Sequence, residues 1–208
     1  MIDLQTFLLF FPAALLLALS PGPDNLFVMA QSAQNGRRAG LVVTLGLSTG
    51  LIGHTLAVAF GLAAVISASA MAFTLLKGAG AAYLFFLAWQ AWRSGGAAGK
   101  GPEVPQLSTR ALFGRGIVMN LGNPKVSLFF LAFLPQFADP SRGSMAAQFL
   151  QLGMLFIVAT MLVFGAFSQL AGGLGERFRN SSSAVRAVNR AASLIFVALA
   201  VRLAMSER

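Results

Sequence analysis

The stretch Ser20-Pro21-Gly22-Pro23-Asp24 decides how this chain is read. It interrupts an apolar run that begins near Leu4 and ends near Gln34. A run of that length predicts one membrane-spanning helix, for which about 20 apolar residues suffice. Prolines and a glycine at its centre remove helix hydrogen-bond donors and loosen the backbone. The helix is therefore expected in two pieces, broken at Pro21, Gly22 and Pro23. Asp24 follows at mid-membrane depth, where a carboxylate costs roughly 2–4 kcal/mol on insertion scales. Broken backbone and a charge at that depth are tolerated only against protein or a water-filled cavity.

The second half of the chain repeats the device. A second apolar run, Leu112 to Phe137, is interrupted by Gly122-Asn123-Pro124-Lys125. With Pro23 laid on Pro124, Asp24 falls on Lys125, an acid in one half against a base in the other. Interrupted hydrophobic segments at corresponding places in two halves point to a transporter's binding site.

Composition places the chain among polytopic membrane proteins: 57% of its 208 residues are hydrophobic, 10% are charged and its mean hydropathy is +0.76. The absence of cysteine excludes disulfides, thiolate metal sites and thiol nucleophiles, and a single histidine, His54, excludes a multi-histidine centre. No metal or other cofactor is implied. A net charge of +9 would suit nucleic acid, but the cations sit in short loops between apolar runs. There they set orientation and meet lipid headgroups, so the expected partner is the bilayer and not nucleic acid. Because no Lys or Arg precedes Arg37, the first segment reads as an uncleaved helix and not as a signal peptide.

Six spans are expected, all α-helical: about 4–34, 41–66, 71–92, 111–137, 145–170 and 186–204. They form a single transmembrane domain, with one repeat over about 1–93, a polar linker over about 94–110 and a second repeat over about 111–208. Three spans per half force the halves into opposite orientations, an inverted repeat. Asn35-Gly36-Arg37-Arg38-Ala39-Gly40 reads as a short basic loop, and Ser67-Ala68-Ser69 as an uncharged turn. Trp89, Trp92 and Arg93 mark a membrane–water interface, and Lys77 is placed to snorkel outward. Ten cations, among them Arg37, Arg38, Arg110, Arg115, Arg177 and Arg179, fall on one side; Arg142, Arg202 and Arg208 fall on the other. The positive-inside rule makes the first side cytoplasmic and puts both termini outside.

Asp24 is the only acid well inside a span. It is either a functional group or the N-cap of the second half-helix, a place Asp favours. Lys125 has no capping role to explain it, because a helix N-terminus disfavours a cation. It is either a substrate ligand or the partner of Asp24 in an ion pair joining the halves. Two half-helix N-termini facing the midplane attract anions. With Lys125 they suit a carboxylate, while Asp24 suits an ammonium, so the site suits a zwitterion. Asn25, Asn120 and Asn123 add neutral donors and acceptors. His54 is either a core histidine or a proton relay to Asp24. Gly46 and Gly50 read as helix packing, within the protomer or against a second copy in a homodimer. Gly46-Leu47-Ser48-Thr49-Gly50 also matches a hydrolase nucleophile pattern, but it lies mid-helix and His54 points to nearly the opposite face from Ser48.

Along nearly its full length the chain resembles the LysE/RhtB family of amino-acid exporters. The resemblance is carried by Ser20-Pro21-Gly22-Pro23, Asn35-Gly36-Arg37-Arg38-Ala39-Gly40, Gly114-Arg115-Gly116, Asn123-Pro124-Lys125 and Phe133-Leu134-Pro135-Gln136-Phe137. It implies a bacterial inner-membrane exporter of amino acids driven by protons, closer to the homoserine/threonine/leucine branch than to the lysine/arginine branch. The residues lean the same way, since a cationic side chain would want a second acid and no other acid lies in a span. The reading is thus a secondary exporter of neutral amino acids by proton antiport, not an enzyme. A passive channel for small solutes and an intramembrane hydrolase on Ser48 and His54 are the alternatives.

Overall fold

The computed structural model describes residues 2–20, 22–62, 70–93, 106–170 and 181–205. Pro21, Lys100, Arg177, Arg179, Arg208, the turn at 67–69 and most of the 94–110 linker lie outside the described residues, as do the side chains of Lys77 and Arg202. Every described element is helical.

The first broken helix is α1 (Leu4–Leu19) followed by α2 (Pro23–Asn35), bent by 60°. Asp3 caps α1 by accepting from the Thr6 N–H at 2.8 Å. α2 opens on Pro23, whose fixed φ and missing N–H suit the first helical position. It ends at Gly36, where φ is 85°, a conformation glycine adopts without steric cost. α3 (Arg37–Leu56) starts at once and continues through a π-helical turn, Ala57–Leu62. The expected six-residue basic loop is therefore a one-residue corner. Gly36 alone makes the turn, and Arg37 to Gly40 join the helix.

α4 spans Ala70–Arg93. The second broken helix is α5 (Thr109–Leu121) followed by α6 (Pro124–Phe133), bent by 51°, and a 3-10 turn carries it on to Phe137. α7 spans Met145–Leu170, and α8 spans Ser182–Met205, starting four residues before the sequence expectation. Arg37–Gly61 and Met145–Leu170 are each long and apolar enough to cross a membrane, and the two bent pairs raise the candidate spans to four. At 24 residues each, α4 and α8 are about 36 Å long.

Surface and interior are distributed as lipid demands. Leu8, Phe60, Met154 and Leu194 face outward, while Gln31, Thr160, Gln148 and Asn120 are buried. α3 and α5 run parallel and nearly touch: a Cβ on Gly46 would lie 2.2 Å from the Phe113 carbonyl oxygen, and one on Gly116 3.0 Å from the Gly46 Cα. The glycines expected to serve packing do so inside the chain. α7 lies antiparallel to α3, with Gly153 against Thr55 and Gly40 against Ser168. α1 packs on α7, and α4 on α8, where the Ser193 hydroxyl donates to the Ala88 carbonyl at 2.8 Å.

Candidate substrate site at the two helix breaks

The breaks face each other. A cavity of about 20 Å³ is lined by Gly22, Asp24 and Asn25 from the first and by Asn120, Asn123 and Lys125 from the second, closed by Leu51, Phe156, Thr160 and Phe164. All five substrate-site residues expected from sequence therefore share one small space. Asp24, Asn25, Asn120 and Asn123 are at most 5% exposed.

Pro23 and Pro124 occupy the first positions of α2 and α6, so Asp24 and Lys125 are both second residues of their half-helices. Neither does what helix capping alone would have it do. The N-cap of α2 is Gly22, which makes no side-chain cap bond, so Asp24 is not the cap. Asn123 caps α6, accepting from the Lys125 N–H at 3.0 Å. The Lys125 ammonium reaches across to α1 instead and donates to the carbonyls of Leu17 at 2.9 Å and Ser20 at 2.7 Å. This corrects the reading that gave Lys125 no capping role: it caps the C-terminus of the other half's broken helix, where carbonyls lack partners and a cation is favoured. Among the described residues no ion pair joins Lys125 to Asp24.

Asp24 has less support. The Asn120 side-chain amide donates to its Oδ2 at 3.5 Å, a long bond. Its Oδ1 is buried without a partner, and so is the Asn120 Oδ1. Asn25 donates to the Ala18 carbonyl at 2.6 Å and holds the end of α1 against the start of α2. His54 Nε2 meets the Asn120 carbonyl oxygen at 3.1 Å, so that nitrogen carries the hydrogen. By hydrogen bonds, His54 thus reaches Asp24 by way of Asn120. Ser48 is buried with its hydroxyl unpartnered, so the Ser–His bond a hydrolase needs is not formed.

Sequence reasoning missed two features. A larger cavity, about 430 Å³, shares Gly22, Asn123 and Lys125 with the small one and runs between α4 and α8 past Tyr83, Gln90 and Asn189. Its volume falls in the range of small-molecule sites. In the other direction the site is shut by phenylalanines. From Phe156 at the small cavity, rings follow through Phe129 (5.2 Å), Phe133 (4.2 Å) and Phe137 (4.7 Å), and Phe10 of α1 stacks on Phe133 at 5.7 Å. Phe137 lines a cleft of about 240 Å³ with Asp3, Asp139 and Arg142. There Arg142 bridges Asp3 and Asp139, the latter at 3.2 Å. Hydrogen bonds from Thr6, then Arg142, hold the Asp3 carboxyl well below the usual carboxylate range, and those from Ser141 lower Asp139. The run Phe129, Phe130, Phe133, Phe137 at helical spacing was the available signal for the plug.

Two interrupted apolar helices with buried polar groups at their meeting point define a multi-pass membrane protein of the translocator class. The chain belongs to the LysE type translocator family, whose profile matches residues 15–207. It is 37% identical over 192 residues to a homoserine/homoserine lactone efflux protein of Salmonella typhimurium, covering 92% of each chain. It is also 32% identical over 205 residues, 99% of each chain, to an uncharacterized membrane protein of Vibrio cholerae. A further uncharacterized membrane protein, from Pseudomonas aeruginosa, is 32% identical, with 89% of this chain and 88% of the relative aligned. No solved structure matches the chain.

Proposed function

We propose that this protein is a secondary exporter of small neutral amino acids and their close derivatives, homoserine and homoserine lactone among them, in the bacterial inner membrane. The observation that carries this reading is the convergence of Asp24, Asn120, Asn123 and Lys125, from two broken helices, on one buried space. The Salmonella relative's name supplies the substrate type.

Six helices cross the membrane as two inverted triplets. Support comes from the packing: α3 parallel to α5 and α7 antiparallel to α3, with each half, among the described residues, contacting the other more than itself. The face bearing Arg37, Arg38, Arg110 and Arg115 is cytoplasmic, and both termini are outside. Substrate enters between α4 and α8, reaches the breaks, and leaves past the phenylalanine plug as the halves rock. Asp24 exchanges the substrate's ammonium for a proton, coupling export to proton entry. Proteoliposomes holding homoserine test this. A pH gradient should drive counterflow in the native protein, and Asp24→Asn should abolish the pH dependence. Unchanged pH dependence in that variant would remove Asp24 as the proton carrier.

A further inference from the structure

Asp24 and Lys125 hold corresponding positions, each the second residue of a half-helix and each pointing at the end of the other half's first piece. Lys125 meets the carbonyl end of α1, where a cation is stabilised and two carbonyls take up two of its three N–H groups. Asp24 meets the carbonyl end of α5 through Asn120. A carboxylate at a helix C-terminus is disfavoured, and what it meets there are side-chain amides, that of Asn120 at 3.5 Å and that of Asn123 nearby. Lys125 is thus satisfied at the far helix end, while Asp24, although its own helix N-terminus favours it, keeps one carboxylate oxygen without a partner. The two buried acceptors without partners, Asp24 Oδ1 and Asn120 Oδ1, belong to residues lining the same 20 Å³ cavity.

We infer that the recognition element of this site is a primary ammonium, received by Asp24 and Asn120, and that a substrate carboxylate is dispensable. A cavity of about 20 Å³ admits one water-sized group, which an –NH3⁺ is and an amino acid is not. The carbon skeleton lies beyond Gly22, in the 430 Å³ cavity that shares Asn123 and Lys125. One Lys125 N–H remains for whatever oxygen the substrate carries there, whether of an acid, an ester or a lactone. An N-acyl group removes the charge and two N–H donors and adds heavy atoms where there is room for one. The transported class is thus small primary amines with an acid or masked acid, and N-acylated forms are excluded. The inference rests on the export reading above.

The test uses the intact protein in proteoliposomes, with labelled homoserine counterflow and unlabelled competitors. Homoserine lactone and an amino-acid methyl ester should compete as well as homoserine does. N-acetylhomoserine and γ-hydroxybutyrate, which lack the ammonium, should compete at least about tenfold more weakly, the loss expected for a missing bond to a buried charge. If either of these two competes like the lactone, the ammonium is not the recognition element, although export stands. Failure of both the lactone and the ester to compete would show that the carboxylate is required, and would also overturn the inference. If homoserine and other neutral amino acids show no counterflow at all, the export reading fails and takes the inference with it.

Discussion

Replacing Lys125 with methionine separates its structural role from any role in binding. The change keeps a long flexible side chain but removes the donor to the Leu17 and Ser20 carbonyls. Each hydrogen bond from a charged donor is worth about 1.5–3 kcal/mol, so the pair contributes roughly 3–6 kcal/mol before the desolvation of the ammonium is set against it. Desolvation offsets part of this, and stranded carbonyls in a lipid interior add to the loss. A net loss of about 3 kcal/mol lowers Tm by on the order of 10 °C in a chain of this length. Thermal unfolding in detergent without substrate reads the effect directly. Lys125→Arg, which keeps two donors, should recover part of the Tm. If Lys125→Met unfolds at the native temperature yet loses transport, the cap on α1 contributes nothing, and Lys125 is a substrate ligand only.

Gly46→Val should prevent α3 from closing on α5, since even a Cβ would meet the Phe113 carbonyl at 2.2 Å; the expected readout is loss of folded protein in membranes. Gly50→Ala places a methyl 2.8 Å from the Asn120 side chain and should cost about 1–3 kcal/mol in stability while displacing the group that supports Asp24, measured by Tm and homoserine counterflow. Cysteines at Phe10 and Phe137, whose rings are 5.3 Å apart, should be cross-linked by a short bifunctional thiol reagent and so arrest counterflow. The chain has no other thiol to confuse the result. The Arg142 bridge should be insensitive to pH between about 5 and 8. Asp3 and Asp139 are held below their ordinary values, so their contribution is complete above the unfolded carboxylate pKa of about 3.9 and fades only as pH falls through the lowered values. Labelling of a single cysteine at Phe137, with the rate divided by the thiolate fraction at each pH, should stay constant across that range, and a corrected rate that rises toward pH 5 would refute the assignment.

Much of the site was legible because proline, glycine and charge are costly in a lipid-spanning helix, so their presence at Gly22-Pro23-Asp24 and Asn123-Pro124-Lys125 needs a reason in one dimension already. Their convergence followed from the matched positions of the breaks. The partner of Lys125 was not legible. Backbone carbonyls at the end of α1 carry no side-chain signature, so an acid–base pair was the only partner that letters could suggest. The 430 Å³ cavity was hidden for a similar reason: Tyr83, Gln90 and Asn189 are ordinary polar residues until α4 and α8 place them together. The basic loop after the first span was misjudged because charge was read as a sign of loop, although Arg is a good helix former and one glycine at positive φ suffices for the corner.

The contacts of Lys125 also constrain how the halves can move. Its bonds tie the start of α6 to the end of α1, and Phe10, stacked on Phe133 and edge-on to Phe137, ties α1 to the end of α6 and the turn that follows it. α1 and α6 are thus joined at two levels along their length, one polar and one aromatic, although they come from different halves. Parting them would strand the Leu17 and Ser20 carbonyls together with a half-buried cation, whereas parting the rings costs only apolar contact. Motion that opens a path past the phenylalanines should therefore pivot at the Lys125 end and swing at the Phe137 end. Asp24 lies beside that pivot, so under the proposed export mechanism its occupant would stay bound while the distant ends separate, as alternating access around a fixed site requires.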